Sequence, residues 1–336
     1  MNIINSCDMK KILFTVLAVT IMVSENVKAQ DPQFSQFYSN KLLLSPAFAG
    51  TGIGPRIALN YRRQWANIPG FYKTFAASYD MPLQFGNTRH GAGVSFMADQ
   101  AGEGNLTKLD AILHYAYELD LGDNHAIRFG LAGGIQQASL DFYKLRFSDQ
   151  IDPNFGFTKP TGEIKPVDSR IIEDISAGLT YFSKKAWLGA NVNHITEPKQ
   201  KFMIGGTQEK DTTKLPMKFS VFGGYQFPMG GENSKTTLTP AFLFKAQRPF
   251  WQLDLGMYVN FDPLVVGVWY RNQDAVIGLV GLKYNQFSFG YSYDYTISRL
   301  TNRITTGSHE ISVIYEFEQA QKAKKMRHRV LPCPRF

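Results

Sequence analysis

The side chains best able to do chemistry are scattered along the chain and do not form a catalytic or metal-binding motif. The six histidines show no H-E-x-x-H spacing or comparable metal-ligand pattern. The two cysteines, Cys7 and Cys333, stand near opposite ends of the chain, so we expect neither a disulfide framework nor a cysteine metal site. Nucleophile-elbow and Walker-loop patterns are absent from the sequence. We therefore predict no enzyme activity, no metal and no cofactor.

Charged and imidazole side chains recur at alternate positions of otherwise apolar runs. Asp110, His114 and Glu118 alternate with leucine and tyrosine between residues 109 and 119. Ionisable groups inside a membrane structure are costly unless they are paired or hydrated, so each is a candidate functional residue. Opposite charges that pair across a narrow lumen are the simpler explanation. The predicted lumen-facing polar residues are Arg62, Asp110, His114, Glu118, Arg128, Asp254 and Asp294.

The alternating runs are long enough to cross a membrane. Residues 251–261 and 287–295 place an apolar or aromatic side chain at every second position, which gives each strand one apolar face. A tilted membrane strand needs about 9–11 residues, whereas soluble strands commonly have about 5–6. Tyrosine and tryptophan near strand ends are typical of the aromatic girdles of outer-membrane barrels. The sequence thus favours an all-β, transmembrane antiparallel β-barrel of the outer-membrane type over a soluble sandwich.

The alternation predicts about 14 strands, an even number as in bacterial barrels. They are expected near 56–66, 71–82, 90–99, 107–119, 126–138, 174–183, 185–194, 216–228, 235–246, 250–261, 262–271, 275–285, 286–297 and 308–318. A periplasmic N-terminus would place the odd-ranked connections outside, where barrel loops are longer. Every long connection has that parity: 100–106, 139–173, 195–215 and 298–307. Two odd-ranked connections, 247–249 and 272–274, are short, so the rule is imperfect.

Both ends of the chain lie outside the predicted barrel. Residues 1–29 read as a signal peptide, with Lys10 and Lys11 before an apolar run and a cleavage site after Ala29. Export to the outer membrane follows. The basic C-terminal tail, 319–336, supplies much of the net charge of +8, so that charge is no argument for nucleic acid. The tail is interpreted as a disordered extension, with contact to an acidic partner as the alternative.

Residues 30–55 separate the leader from the barrel. Phe34, Phe37, Tyr38 and Leu42 have helical spacing, but Pro46 and Gly50 limit any helix. The segment is too polar to span a membrane, so we expect a periplasmic segment that packs on the inner mouth of the barrel or partly plugs it. The glycines at 50–54 lead into a strand and open no helix, so they do not form a nucleotide loop.

The chain resembles the PorP/SprF family of the type IX secretion and gliding-motility apparatus. The resemblance covers nearly all of the mature chain. It rests on Asp31-Pro32-Gln33-Phe34-Ser35-Gln36-Phe37-Tyr38, Asn40, Pro46-Ala47-Phe48-Ala49-Gly50, Asn60-Tyr61-Arg62-Arg63-Gln64-Trp65, Ala92-Gly93-Val94, Asp149-Gln150-Ile151-Asp152-Pro153-Asn154-Phe155, Leu215-Pro216 and Ser308-His309-Glu310-Ile311-Ser312. Ser45 departs from an expected asparagine, which a turn tolerates, and the long basic tail is unusual.

The resemblance implies a non-enzymatic outer-membrane barrel that helps export large surface adhesins, or anchors them, through their C-terminal sorting domain. It also implies translocon components and a periplasmic peptidoglycan-linked lipoprotein as partners, besides membrane lipid and lipopolysaccharide. The predicted outward loops carry aromatic and arginine side chains, which are favoured at interfaces but also occur in ordinary loops. The candidate partner-binding residues are Phe142, Arg146, Phe147, Phe155, Phe157, Arg170, Lys201, Phe202 and Met203.

Two other functions stay open on the sequence alone. A passive outer-membrane channel or hydrophobic-solute transporter would need an open or gated lumen and a ligand cavity. An outer-membrane phospholipase would need a serine and a histidine on an outward face, whereas His114 is predicted to face the lumen. The mixed charges of the lumen and the N-terminal segment favour a blocked barrel.

Overall fold

A computed structural model describes residues 31–68, 70–122, 124–152, 154–163, 169–199, 214–230, 236–298 and 305–318. The predicted leader and the basic tail lie outside the described residues. No helix in the described part of the chain is long and apolar enough to cross a membrane.

Fourteen antiparallel strands form one closed barrel. The two-residue strand Phe227–Pro228 extends the eighth of them. In chain order the strands are β1 Arg56–Gln64, β2 Phe71–Phe85, β3 Thr88–Gly102, β4 Leu106–Gly122, β5 His125–Ser139, β6 Ser169–Phe182, β7 Ala186–Asn193, β8 Lys218–Tyr225, β9 Thr236–Gln247, β10 Phe250–Phe261, β11 Leu264–Arg271, β12 Ala275–Tyr284, β13 Phe287–Thr296 and β14 Ser308–Glu316. Each strand pairs with its neighbours in sequence, and β1 pairs with β14 to close the barrel.

The two faces of the wall follow the predicted alternation. Leu113 and Tyr115 on β4 are exposed on the outer surface, while His114 between them is buried. Asp294 on β13 is likewise buried between Tyr293, which is half-buried, and Tyr295, which is exposed. Because successive side chains of a strand point to opposite faces, an apolar outer surface leaves the polar positions to the lumen. The predicted fold class is confirmed.

The strands of one side of the wall are longer than predicted. β2, β3 and β5 each have 15 residues and β4 has 17, whereas β7, β8 and β11 have 8. The predicted outward connection 100–106 was wrong, since pairing continues through Phe71 with Gly102 and Ala101 with Leu106. Only 103–105 remains between β3 and β4. Hydrogen bonding between these strands continues past the residues that show apolar alternation, and the strand ends were predicted from that alternation.

The two ends of the barrel differ in their connections. We call the end that carries 65–70, 103–105, 140–168, 194–217, 248–249, 272–274 and 297–307 the loop end. The opposite end, which carries 86–87, 123–124, 183–185, 229–235, 262–263 and 285–286, is the turn end. The three longest connections all belong to the loop end, in agreement with the predicted parity. At the turn end, Phe227–Pro228 continues the pairing with β9, so the eighth strand ends at 228 as predicted.

The residues before β1 lie inside the barrel. Lys41–Leu44 form one helical turn, α1, and Pro46–Phe48 form a 3-10 turn. The Ser45 side chain accepts a hydrogen bond from the Ala47 amide at 3.3 Å and so caps the second turn. The predicted helical spacing thus yields only a single turn of α-helix, because Pro46 cannot continue it.

Candidate functional site

Residues 32–50, called the lumen segment below, run through the barrel from one end to the other. At its start, the Gln33 side-chain oxygen accepts a hydrogen bond from Lys245 Nζ at 3.1 Å, near the loop end of β9. At its finish, the Gly50 amide donates to Asp80 Oδ2 at 2.9 Å, and Asp80 lies opposite Arg56, the first residue of β1 at the turn end. The segment therefore spans the lumen, and lies deeper than a position on the inner mouth.

A first charge cluster holds the start of the segment. This loop-end cluster consists of Arg62, Asp254, Arg271, Asp294 and Glu310, all buried. Arg62 and Arg271 contact Asp294 Oδ2 at 2.8 and 3.0 Å. Both arginines also donate to the Ser35 hydroxyl, at 2.6 and 2.9 Å, and that hydroxyl donates to Asp294 at 2.6 Å. A single hydroxyl of the lumen segment thus joins three buried charges of the wall.

The same cluster recognises the backbone of the segment. The Glu310 carboxylate accepts the Ser35 and Gln36 amides at 2.7 and 3.0 Å. The Gln36 side chain donates to the Glu310 carbonyl at 3.0 Å and accepts from the Ser312 hydroxyl at 2.6 Å. A buried carboxylate is stabilised by such donors, so the segment adds hydrogen bonds to charges that already pair with one another within the wall.

A second cluster holds the end of the segment. Arg128 pairs with Glu118 at 2.5 Å, and its guanidinium donates to the carbonyls of Ala47, at 2.9 Å, and of Ala49. All of these groups are buried. This turn-end cluster therefore uses wall charges to bind main-chain groups that would otherwise be unsatisfied in the lumen.

Aromatic side chains fill the space between the two clusters. Phe37 packs edge-on against Trp269 with ring centroids 4.9 Å apart, and Phe48 lies 5.4 Å from Phe222. Tyr38 is fully buried and lies 5.9 Å from Trp187. Aromatic pairs at these separations add to the free energy gained by burying their apolar area. The middle of the lumen is packed like a protein core.

The sequence analysis missed these inward aromatic residues of the wall. Each stands directly opposite a glycine on the next strand, as Trp269 does with Gly256 and Trp187 with Gly224. A Cβ on either glycine would collide with the indole ring of its partner. Glycine weakens a strand unless something lies close to it. Glycines within β7, β8, β10 and β11 were therefore the signal for bulky inward neighbours.

Other inward glycines make room for the lumen segment itself. A Cβ at Gly91 would overlap the carbonyl of Ala49, and one at Gly130 would overlap the main chain of Ala47. At Gly290 it would meet the Gln36 side chain. Three strands of the wall thus carry no side chain where the segment passes.

Two predicted lumen residues lie apart from both clusters. His114 is buried and shares a hydrogen bond of 2.7 Å with the Ser95 hydroxyl. Asp110 is also buried. The other five predicted residues are brought together by the structure in the two clusters, which the sequence did not separate. Among the described residues, no three histidine, cysteine or acidic side chains are grouped to hold a metal.

The loop between β5 and β6 contributes the largest number of described residues to the loop end. Tyr143 and Phe155 are 80% and 77% exposed. The Arg146 guanidinium lies 5.2 Å from the centre of the Phe157 ring. Phe142 is buried against Phe147, at 5.2 Å between rings, so it supports the loop and offers no free surface. Arg170 belongs to β6, and the candidates Lys201, Phe202 and Met203 lie outside the described residues.

Two carboxylates organise that loop. Asp149 accepts hydrogen bonds from the Gly162 amide at 2.7 Å and the Thr161 hydroxyl at 2.9 Å. Asp152 accepts the Asn154 amide at 2.9 Å and contacts Lys159 at 3.3 Å. The Gly162 and Asn154 amides lower the pKa of Asp149 and of Asp152, respectively, below the ordinary value of 3.8.

Sequence reasoning missed Tyr143, whose exposure no pattern in the sequence indicated.

Solved structures similar to this chain are outer-membrane barrels of low sequence identity. The toluene transporter TbuX of Ralstonia pickettii is 11% identical, with a TM-score of 0.46 over 83% of this chain and 94% of that one. The toluene transporter TodX of P. putida is 11% identical, with a TM-score of 0.45 over 82% and 93%. The translocator domain of the autotransporter NalP from Neisseria meningitidis is 11% identical, with a TM-score of 0.41 over 93% and 96%. These likenesses concern the fold alone.

The sequence comparisons give one match. No curated protein matches the chain. The family model described as type IX secretion system membrane protein PorP/SprF matches residues 26–315. That range includes the lumen segment and all but the last residue of β14.

Proposed function

Because the chain belongs to the PorP/SprF family of type IX secretion system membrane proteins, we propose that it is a sealed accessory barrel of that system in the outer membrane. It holds exported adhesins at the cell surface, or assists their export, by binding their C-terminal sorting domain. The family and the barrel fold are of non-enzymatic types, and the proposal includes no catalytic step.

The filled lumen carries this proposal. The lumen segment is buried between a charge cluster at each end and an aromatic core in the middle. Removing the hydrogen-bond partner of a buried polar group costs about 1–3 kcal/mol. A passive channel or hydrophobic-solute transporter would have to break the hydrogen bonds that Arg62, Arg271 and Glu310 make with Ser35 and Gln36 whenever it opened. The structure favours a barrel whose work is done on its surfaces.

The proposed docking surface is the loop end. Exposed Tyr143 and Phe155 supply apolar contact area, and Arg146 over Phe157 adds a planar cation. Such side chains are the usual anchors of protein interfaces. The hydrogen bonds of Asp149 to Gly162 and Thr161 hold these residues in one arrangement before binding, which lowers the entropy cost of association. The turn end then faces the periplasm, where a peptidoglycan-linked lipoprotein and the translocon are the proposed partners.

The test uses the detergent-solubilised barrel and a purified C-terminal sorting domain of an adhesin exported by the same cell. We expect saturable binding that weakens at least about tenfold when Tyr143 and Phe155 are both changed to Ser, as for interface anchors. Changing Phe289, which lies on the lipid-facing surface of β13, to Ser is the control and should leave affinity unchanged. Equal binding by all three proteins would contradict the proposed docking surface, and absence of binding to the unaltered barrel would contradict adhesin docking itself.

A further inference from the structure

The lumen segment lies across the junction between the first and the last strand. In this junction Arg62 of β1 stands opposite Glu310 of β14, and Asn60 stands opposite Ser312. The other thirteen neighbouring pairs of barrel strands are consecutive in the sequence, so a connection tethers each of them. β1 and β14 are not joined by a connection, because they lie at opposite ends of the described chain. This junction has the largest loop-closure cost in the barrel.

Contacts of the segment reach both strands of the junction at both of these pairs. At the first pair, Ser35 binds Arg62 and Glu310 at once, at 2.6 and 2.7 Å. At the second pair, Gln36 accepts from Ser312 at 2.6 Å and Asn60 donates to the Ser39 hydroxyl at 2.5 Å. A shift of β14 by two residues would keep its apolar face outward but would move Glu310 and Ser312 away from Ser35 and Gln36, while the bonds of the segment to β1 stayed in place. The segment therefore makes its full set of hydrogen bonds in only one register of β14 against β1.

We propose that the inner face of the β1–β14 junction is a binding site for a bent peptide, and that Ser35–Ser39, which contain a turn closed by the hydrogen bond from the Ser39 amide to the Gln36 carbonyl, fill it as a latch. The latch sets the register of the junction and keeps it closed. Glu310 provides the carboxylate for two backbone amides, Gly290 provides the space for Gln36, and Ser312 and Asn60 provide side-chain hydrogen bonds. This inference is independent of the adhesin proposal, because it concerns how the barrel closes.

The first experiment compares hydrogen exchange in two matched variants of the full-length barrel in detergent. Gln36→Ala removes bonds to β13 and β14, whereas Ser45→Ala removes a buried bond within the segment, far from the junction. We expect amide exchange in β1 and β14 to rise about tenfold in Gln36→Ala, as for loss of a buried hydrogen bond. The β4–β5 pair should keep its protection, and Ser45→Ala should leave β1 and β14 unchanged. Uniform acceleration over all strands would overturn the latch.

A second experiment locks the junction from outside. Leu59 and Val313 stand opposite each other on the outer face, so Leu59→Cys with Val313→Cys can be bridged in a background with Cys7→Ser and Cys333→Ser. We expect the oxidised pair to restore normal exchange of β1 and β14 in Gln36→Ala, and the reduced pair to leave it fast. If oxidation does not restore protection, Gln36 only fills the lumen, and the latch is disproved.

Discussion

Arg62 and Glu310 stand opposite each other where the barrel closes, and both bind Ser35 of the lumen segment. The pair itself is 3.3 Å apart, and both side chains are almost fully buried. The same two side chains, Arg62 and Glu310, therefore lie at the closing strand pair and hold the lumen segment in place. The charges of the wall are arranged for a resident peptide.

Loss of the Arg62 charge should destabilise the barrel strongly. Arg62→Met leaves Asp294 and Glu310 buried without one of their cationic partners, a change that costs about 3–5 kcal/mol in comparable cases. The neighbouring Arg63 is exposed on the other face, and Arg63→Gln should cost less than about 0.5 kcal/mol. Thermal unfolding in detergent, followed by circular dichroism, measures both. Equal stability of the two variants would show that the loop-end cluster contributes little.

Gly91 should not tolerate a side chain, although it lies in a regular strand. A Cβ there overlaps the Ala49 carbonyl, so Gly91→Ala should push the segment aside at a cost of about 1–3 kcal/mol, as for overpacking. Gly278 on β12 has nothing within 4 Å of the added Cβ, and Gly278→Ala is the matched control. Chemical denaturation of both variants tests this. A neutral Gly91→Ala would mean that the segment does not pass against β3.

Tryptophan fluorescence should separate the outer face from the lumen. Trp251 is 59% exposed on the outer surface, whereas Trp269 is buried against Phe37. Brominated acyl chains should quench part of the emission of the reconstituted barrel. Trp251→Phe should abolish that lipid-dependent quenching, and Trp269→Phe should preserve it. The reverse pattern would place Trp269 at the lipid and contradict the inward aromatic core.

The fold could be predicted from the sequence because alternation is a local signal. The bilayer requires an apolar side chain at every second position of a strand, and β10 and β13 follow this rule without exception on their outer faces. Strand ends were less certain, since pairing of Phe71 with Gly102 depends on hydrogen bonds and not on apolar side chains.

The candidate site could be predicted only in part, because it forms between residues distant in sequence. Alternation showed that Asp294 faces inward, but not that Ser35 would reach it. It also placed Tyr258 on the polar face without revealing the aromatic core to which it belongs. Long-range contacts of an irregular segment have no period in the sequence. In the sequence, the aromatic core is indicated only by the glycines that stand opposite its residues.

Acid should loosen the loop between β5 and β6 before it affects the barrel. Hydrogen bonds lower the pKa of Asp149 in the folded loop below 3.8. A carboxylate with a lowered folded pKa stabilises the loop above its unfolded pKa, and this stabilisation is lost as pH falls through the folded value. Pepsin should therefore cut near Tyr143 and Phe155 much faster at about pH 2 than at about pH 4, after correction for its own activity.

Asp149→Asn tests whether that carboxylate is responsible. Because Asp152 in the same loop also has a lowered pKa, Asp149→Asn should keep only part of the pH dependence, and Asp149→Asn combined with Asp152→Asn should be cut at similar corrected rates at both pH values. Asp141→Asn, which removes only an exposed contact to Lys144, should keep the pH dependence of the unaltered protein. Unchanged pH dependence in Asp149→Asn would assign the effect to another group.

The most direct test of the sealed barrel is the conductance of the intact protein in planar bilayers. The filled lumen predicts no stable channel openings from the unaltered protein, while Gly91→Ala, which displaces the segment, should give openings. Steady conductance by the unaltered protein, at the size expected for an empty barrel of 14 strands, would contradict the account and favour a channel.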